Sequence, residues 1–294
     1  MASPATANGV VIVDKPAGMT SHDVVQRLRK TLKTRAVGHA GTLDPMATGV
    51  LVVAIGAATK LVPYLTAADK TYEVTVRLGV ATDSLDADGQ VTQHADVPAD
   101  FASRLPDAIQ LEIARREQVP PSVSAIHHEG MRAHELVRRG ASFSLPARPV
   151  EVRGIALGTI RCAPPEFSAR LTVEKGYYVR AFARDLAERL DTVGHVVALR
   201  RTASGPFSIE EACALDAADL AARMLSLETA AARALPVARL TEQGARDAAC
   251  GRAVGHDDIL DVASEAVHAW LDPTGRLVAL GERRGERCFV VRGF

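Results

Sequence analysis

The longest apolar stretch in the chain, residues 50–58, is broken by Gly56. It is far shorter than the ~20 residues of a membrane span and has the length of a buried strand. With Thr48 ahead of it, the strand reads as 48–55. Other elements surround it in mixed order. Residues 9–13 form a short buried strand, ended by the turn signal Asp14-Lys15-Pro16-Ala17-Gly18. Ser21 then caps a helix on which Val24, Val25, Leu28 and Leu32 recur at helical spacing through about Lys33. Tyr72, Val74, Val76 and Leu78 alternate as a half-exposed strand. Ala169, Leu171 and Val173 alternate as another, and a helix follows over 178–190. Residues 216–235 read as an Ala/Leu-rich helix, and Trp270-Leu271, the turn 272–275 and residues 277–280 as a hairpin. With 47% hydrophobic but only 4% aromatic residues, the core must be aliphatic.

Charge is informative by position. Thirty-five basic and 35 acidic residues cancel. Residues 206–294 nevertheless hold 10 Arg and 14 acids, net −4, which leaves residues 1–205 at +4. Arg27, Arg29, Lys30, Lys33 and Arg35 crowd one segment, and Arg115, Arg116, Arg132, Arg138, Arg139, Arg148 and Arg153 form a looser set. Such local density on a neutral protein suits a polyanion groove, with a solvated helix face as the alternative for any one run. The N-terminus has no basic residue before its short apolar run, so no secretory signal and a cytoplasmic protein are expected. Cys162, Cys213, Cys250 and Cys288 form no C-x-x-C pair, so zinc and a disulfide framework are not indicated.

Phosphate-loop, dinucleotide and nucleophile-elbow motifs are absent. Thr82 to Gly89 imitates part of a calcium loop, but its first ligand position is Ser84 and its twelfth Ala95. It reads instead as an acid-rich loop in which Asp83, Asp86 and Asp88 can orient neighbouring Arg side chains. The informative segment is Gly38-His39-Ala40-Gly41-Thr42-Leu43-Asp44-Pro45-Met46-Ala47-Thr48-Gly49. Its glycines let backbone approach a ligand closely, and Asp44 stands at the mouth of a strand. An Asp-Pro turn with a structural His is the bland alternative.

This segment resembles the catalytic loop of the bacterial tRNA pseudouridine-55 synthases of the TruB type, G-H-x-G-x-L-D-P-x-A-x-G-x-L, at every fixed position. The family's opening D-K-P-x-G-x-[ST]-S is matched by Asp14, Lys15, Pro16, Gly18, Thr20 and Ser21. K-x-Y, L-G-x-x-T-D and D-x-x-G are matched by Lys70 and Tyr72, by Leu78, Gly79, Thr82 and Asp83, and by Asp86 and Gly89. K-G-x-Y-[IV]-R falls on Lys175, Gly176, Tyr178, Val179 and Arg180, and L-R-R on Leu199, Arg200 and Arg201. The ordered set covers residues 9–202 and is highly specific.

The resemblance implies isomerisation of one T-loop uridine of tRNA, without cofactor or metal. The implied fold is the α+β pseudouridine synthase fold, with a mixed, largely antiparallel central sheet. It implies Asp44 as nucleophile, Arg180 as the partner that holds it charged, and Tyr72 as the ring under a flipped base, with a hydroxyl placed to move a proton. Lys15, His39, Gly41, Lys175, Tyr178 and Leu199 are expected at the substrate. The expected division is a catalytic domain over 1–205 with a mobile RNA-clamping loop at about 119–149, a helical connection over 206–235, and a PUA-like β-rich RNA-binding module over 236–294. A monomer that needs no protein partner and no membrane is expected. A catalytically idle RNA-binding protein and an RNA-guided relative working inside a ribonucleoprotein are the competing readings; the presence of Asp44, Tyr72 and Arg180 argues against the first, and a tail poor in basic residues against the second.

The family's P-P-x-Y-S-A-L-K segment departs here, with Val123 for its Tyr and His127 for its Lys. His134 replaces a later Tyr, and Tyr177 is bulkier than the family's usual small residue. A His in place of a Lys makes one phosphate contact titratable. An unperturbed His titrates near ~6.5, so it gains its proton, and a grip on the polyanion, as pH falls. tRNA affinity is therefore expected to rise from about pH 8 to about pH 6, and His127→Lys to flatten that dependence and strengthen binding near pH 8. Equal affinities of the two proteins across that range, at fixed ionic strength, would remove His127 from the RNA contact.

Overall fold

A computed structural model describes residues 8–123, 127–128, 131–132, 145–261 and 266–294. Nine strands among them join in one sheet. They are β1 (Gly9–Lys15), β2 (Val37–Ala40), β3 (Thr48–Ile55), β4 (Lys70–Leu78), β5 (Val152–Cys162), β6 (Pro165–Val173), β7 (Gly194–Ser204), β8 (Phe207–Ser208) and β9 (Cys213–Ala214). The order is β5-β6-β4-β7-β3-β1-β9, with β2 on β3 and β8 on β7. All pairs are antiparallel except β3 with β7 and β1 with β9. The fold is thus the mixed, largely antiparallel α+β sheet that the sequence leads one to expect.

Alternate residues of a strand face opposite sides, so the apolar runs in β1 and β3 feed two layers. Val11, Val13, Leu51, Val53, Tyr72, Val74 and Leu199 face the layer covered by helices α1 (Ser21–Thr31), α3 (Phe101–Ile113) and α4 (Val179–Arg189). Val10, Ile12, Val50 and Val52 face the other. That layer holds Leu65 of α2 (Val62–Ala67), Ala230 and Ala231 of α5 (Leu227–Ala234), and Ala269, Leu277 and Leu280 of a second sheet. The second sheet comprises β10 (Val237–Leu240), β11 (Ile259–Leu260), β12 (His268–Leu271), β13 (Leu277–Arg284) and β14 (Arg287–Gly293), in the order β11-β10-β12-β13-β14. It has its own small core, in which Trp270 lies flat against Gly281. A Cβ there would stand 2.0 Å from the indole, so only glycine fits.

Three local expectations are corrected. The N-cap of α1 is Thr20, not Ser21: its hydroxyl accepts from the Asp23 backbone N–H, and Asp23 reciprocates in a capping box. Ser21, one residue on, is buried and turned to a different task. Residues 216–235 are helical only over Leu227–Ala234. Leu225 exchanges both backbone hydrogen bonds with Val10 at the edge of β1, and Ser226 caps the helix that follows, so the tertiary contact overrides Ala/Leu propensity. The Arg115 side chain is no part of an open basic face; it is half-buried and paired with Glu112 and Asp185. At the base of the 119–149 segment, Glu117–Gln118 pairs with Arg148–Pro149. The His127 side chain and all of His134, in the expected clamping loop, lie outside the described residues.

Candidate active site

The loop between β2 and β3 carries Asp44, and buried bonds from several elements shape it. Gly41 and Gly49 take positive φ, +87° and +101°. A Cβ on Gly49 would meet the Arg201 carbonyl at 2.2 Å, so a larger residue could not pass the strand crossing. Ser21 Oγ accepts from the Leu43 N–H at 2.9 Å and donates to the Leu43 carbonyl at 3.2 Å, fastening α1 to the residue before Asp44. Lys15 is fully buried. Its ammonium donates to the carbonyls of Pro16, Met19 and, in the loop, Pro45. Burial pulls its pKa down to about 8, against the opposing attraction of Asp44.

Asp44 meets Arg180, in the first turn of α4, in a bidentate pair: Nε to Oδ2 at 2.8 Å and Nη2 to Oδ1 at 3.0 Å. This geometry fixes the plane of the carboxylate as well as its position. The guanidinium is otherwise enclosed. It donates to the carbonyls of Ser84 (2.8 Å) and Val123 (3.0 Å), and Asp86 Oδ2 lies 3.6 Å away. The acid-rich loop over 82–89 therefore orients an Arg, as its composition allowed. Arg180 has 7% of its side chain exposed and Asp44 33%, so the carboxylate is the half of the pair that faces outward.

Tyr72 and Leu199 belong to adjacent strands. Tyr72 lies opposite Arg201 and Leu199 opposite Val74, which puts Tyr72, Leu199 and Arg201 on one face of the sheet. Tyr72 is 9% exposed. Tyr178 immediately precedes α4, and its backbone is held from both sides by the fully buried Gln118. The Gln118 amide accepts from the Tyr178 N–H at 2.8 Å and donates to its carbonyl at 3.2 Å. Burial raises the Tyr178 phenol, and the charge of Asp44 adds to that. Tyr177 points the other way. Its hydroxyl donates to Glu112 at 2.8 Å in a buried cluster with Arg115 and Asp185, and burial pushes its pKa far up.

His39 stands on β2, and its buried Nδ1 has no hydrogen-bond partner among the described residues. Burial, with the charge of Arg201 as the second cause, lowers its pKa. Gly41 lies over Arg201 and Lys70: a Cβ there would touch their side chains at 3.5 and 3.6 Å. Lys175 is exposed in the turn before α4 and adds to the field that lowers Lys70. Lys70 itself is buried, donates to the carbonyls of Thr66 and Ala68, and has a pKa of about 8, chiefly from burial. The structure thus brings Asp44 and Arg180 into contact, puts Tyr72 and Leu199 on one sheet face, and sets Lys15 beneath the loop with its ammonium spent on carbonyls. Sequence reasoning gave no role to Gln118 or Arg201 and misread Ser21. The L-R-R motif and the family-like opening were the signals for the last two; nothing in the sequence pointed to Gln118.

A family of RNA-modifying isomerases matches this arrangement. The TruB family pseudouridylate synthase N-terminal domain matches residues 29–179, and the tRNA pseudouridylate synthase B C-terminal domain matches residues 180–239. The chain belongs to the TruB family of pseudouridylate synthases. It is 42% identical to the tRNA pseudouridine synthase B of Corynebacterium aurimucosum, over 99% of this chain and 97% of that one. It is 46% identical to that of Mycobacterium tuberculosis, over 96% and 94%. Among solved structures, it resembles a chain of a Cbf5-Nop10-Gar1 complex, with a TM-score of 0.74, 25% identity, and coverage of 97% of this chain and 84% of that one. A chain of an H/ACA RNP bound to a substrate RNA containing 2'-deoxyuridine matches at TM-score 0.71 and 25% identity, with the same coverage.

Removing the Ser21 hydroxyl leaves a buried N–H and a buried carbonyl of Leu43 unpaired. Ser21→Ala is expected to cost about 1–3 kcal/mol of stability and to speed amide exchange at Leu43. Urea unfolding and hydrogen exchange measure both, and wild-type values in the two would show that Ser21 does not fasten the loop.

Proposed function

We propose that this protein isomerises uridine 55 in the T-loop of tRNA to pseudouridine, with Asp44 as the nucleophile on a flipped-out base. The protein is a tRNA pseudouridine synthase. The bidentate Asp44–Arg180 pair, outward-facing on the carboxylate side, carries the assignment. The reaction breaks the N1–C1′ bond and makes a C5–C1′ bond; N1 ends with a proton and C5 gives one up, so nothing is gained or lost. It needs a charged carboxylate, a base taken out of its stack, and a group near C5 that can move a proton. A rigid bidentate pair holds the carboxylate in place and spares the enzyme the reorganisation of a free side chain.

Tyr72 stacks beneath the base and moves the proton, and Tyr178 and Leu199 line the pocket. His39, Gly41 and Lys175 meet the RNA around it, and Lys15 serves by holding the loop at Pro45. The catalytic domain is read as 1–205, joined through 206–235 to an RNA-binding PUA-like module over 236–294. The protein works in the cytoplasm as a monomer, on its own. No described helix is long and apolar enough to cross a membrane. The test is direct: purified protein with a tRNA transcript, followed by mapping of pseudouridine. A product at position 55 supports the reading; no product anywhere in the transcript overturns it.

Asp44→Asn keeps size but removes the charge and nucleophilicity. It should fold, bind tRNA normally and lose essentially all turnover. Isomerisation above background by a clean preparation of the variant would end the claim. Tyr72→Phe keeps the ring and removes only the hydroxyl, so near-normal tRNA affinity with collapsed turnover is expected. If Tyr72→Phe turns over normally and only Tyr72→Ala fails, the ring is a platform and the proton moves elsewhere.

A further inference from the structure

Arg201 is almost wholly buried, 1% exposed, yet among the described residues no carboxylate pairs with it. Buried guanidinium groups are costly and ordinarily meet an acid. Here each of the three nitrogens donates to a backbone carbonyl: Nε to Val50 at 2.7 Å, Nη2 to Gly41 at 3.0 Å and Nη1 to Thr42 at 3.5 Å. Gly41 and Thr42 enter the Asp44 loop, and Val50 lies on the strand leaving it. One planar, rigid fork thus spans the two ends of the segment that carries the carboxylate.

The backbone of Arg201 fits the same role. In the short parallel pairing of β3 with β7, Arg201 lies opposite Gly49, whose missing Cβ makes room for the Arg201 carbonyl. Between Arg201 and Ala203 the register of β7 against β4 shifts, the kind of irregularity that re-aims a side chain next to a site. Two residues earlier the same strand presents Leu199 on the face of Tyr72.

We infer that Arg201 is a positioning residue for the isomerisation, whose guanidinium fixes the Asp44 loop against the strand that carries Leu199 and so sets the carboxylate over the base without touching the RNA. The inference rests on Asp44 being the nucleophile. A fork and a point charge differ in what they can do here. A lysine in its place supplies the cation and a donor for one or two carbonyls, but it cannot hold both ends of the loop in one plane. Small displacements of a nucleophile are expensive in rate and cheap in binding, because RNA affinity comes from many contacts elsewhere.

The experiment compares Arg201→Lys and Arg201→Met with wild type and Asp44→Asn on one tRNA transcript. It measures thermal unfolding, tRNA affinity by filter binding, KM, and the single-turnover rate of pseudouridine formation. Arg201→Lys is expected to fold, to bind tRNA within about twofold of wild type with KM little changed, and to react at least ~10-fold more slowly in single turnover. Arg201→Met is expected to react more slowly still. A single-turnover rate of Arg201→Lys within twofold of wild type overturns the inference. So does an equal loss of affinity and rate, and so does failure of both variants to fold, which would make Arg201 a general stabiliser. A wild-type protein that makes no pseudouridine overturns the assignment of function, and this inference with it; full activity in Asp44→Asn overturns only the role of Asp44 and whatever rests on it.

Discussion

The pairing of Asp44 with Arg180 bridges 136 residues of sequence, and several elements of the large sheet and its helices hold its two ends. Asp44 sits on a glycine-bounded loop fed by two strands of the sheet, Arg180 on the first turn of a helix packed over that sheet. A bidentate ion pair tolerates little error in angle. The loop is accordingly fixed by Ser21, Lys15 and Arg201, and the helix start by Gln118 and the Tyr177–Glu112 bond. Each fastening uses a side chain against backbone or a fully buried polar pair, and none relies on exposed charge. Solvent and salt screen such bonds least.

The site also concentrates positive charge under the loop. Lys15, Lys70 and Arg201 are all buried, and the hydrogen bonds they donate go to carbonyl oxygens rather than carboxylates. Burial brings both lysines down to about 8. Carbonyl dipoles compensate a cation only in part. His39 shares these surroundings: burial first, and the charge of Arg201 second, lower its pKa. A neutral protein with equal numbers of acids and bases thereby gathers three buried cations around one loop.

The departures from the family pattern divide by location. Tyr177, where a small residue is usual, turns away from the site and closes a buried cluster of Glu112, Arg115 and Asp185 between α3 and α4. Its hydroxyl bond to Glu112 ties the residue before Tyr178 and the start of the helix that carries Arg180 to α3. Val123 reaches the site through its backbone: its carbonyl takes a bond from Arg180, for which the identity of the side chain is immaterial.

The sequence determined the strands at 48–55 and 72–78, the second of which begins two residues earlier in the structure, because apolar runs and strict alternation leave few other ways to bury those side chains. It also determined Asp44 and its partner, since an ordered set of short motifs survives in the chain whatever the intervening loops do. It misplaced the α1 cap by one residue because Thr20 and Ser21 are chemically interchangeable there; only the arrival of Leu43, 22 residues later, decides which hydroxyl is spent on the helix and which on the loop. It overextended the helix near 227 because helical propensity is local, whereas the bonds of Leu225 to Val10 come from the far end of the chain. Gln118 and Arg201 illustrate the same limit. Their chemistry as amide and guanidinium is plain in the sequence, but a hydrogen bond to a backbone carbonyl leaves no mark on the residue that supplies it, so tertiary structure alone decided where those donors point.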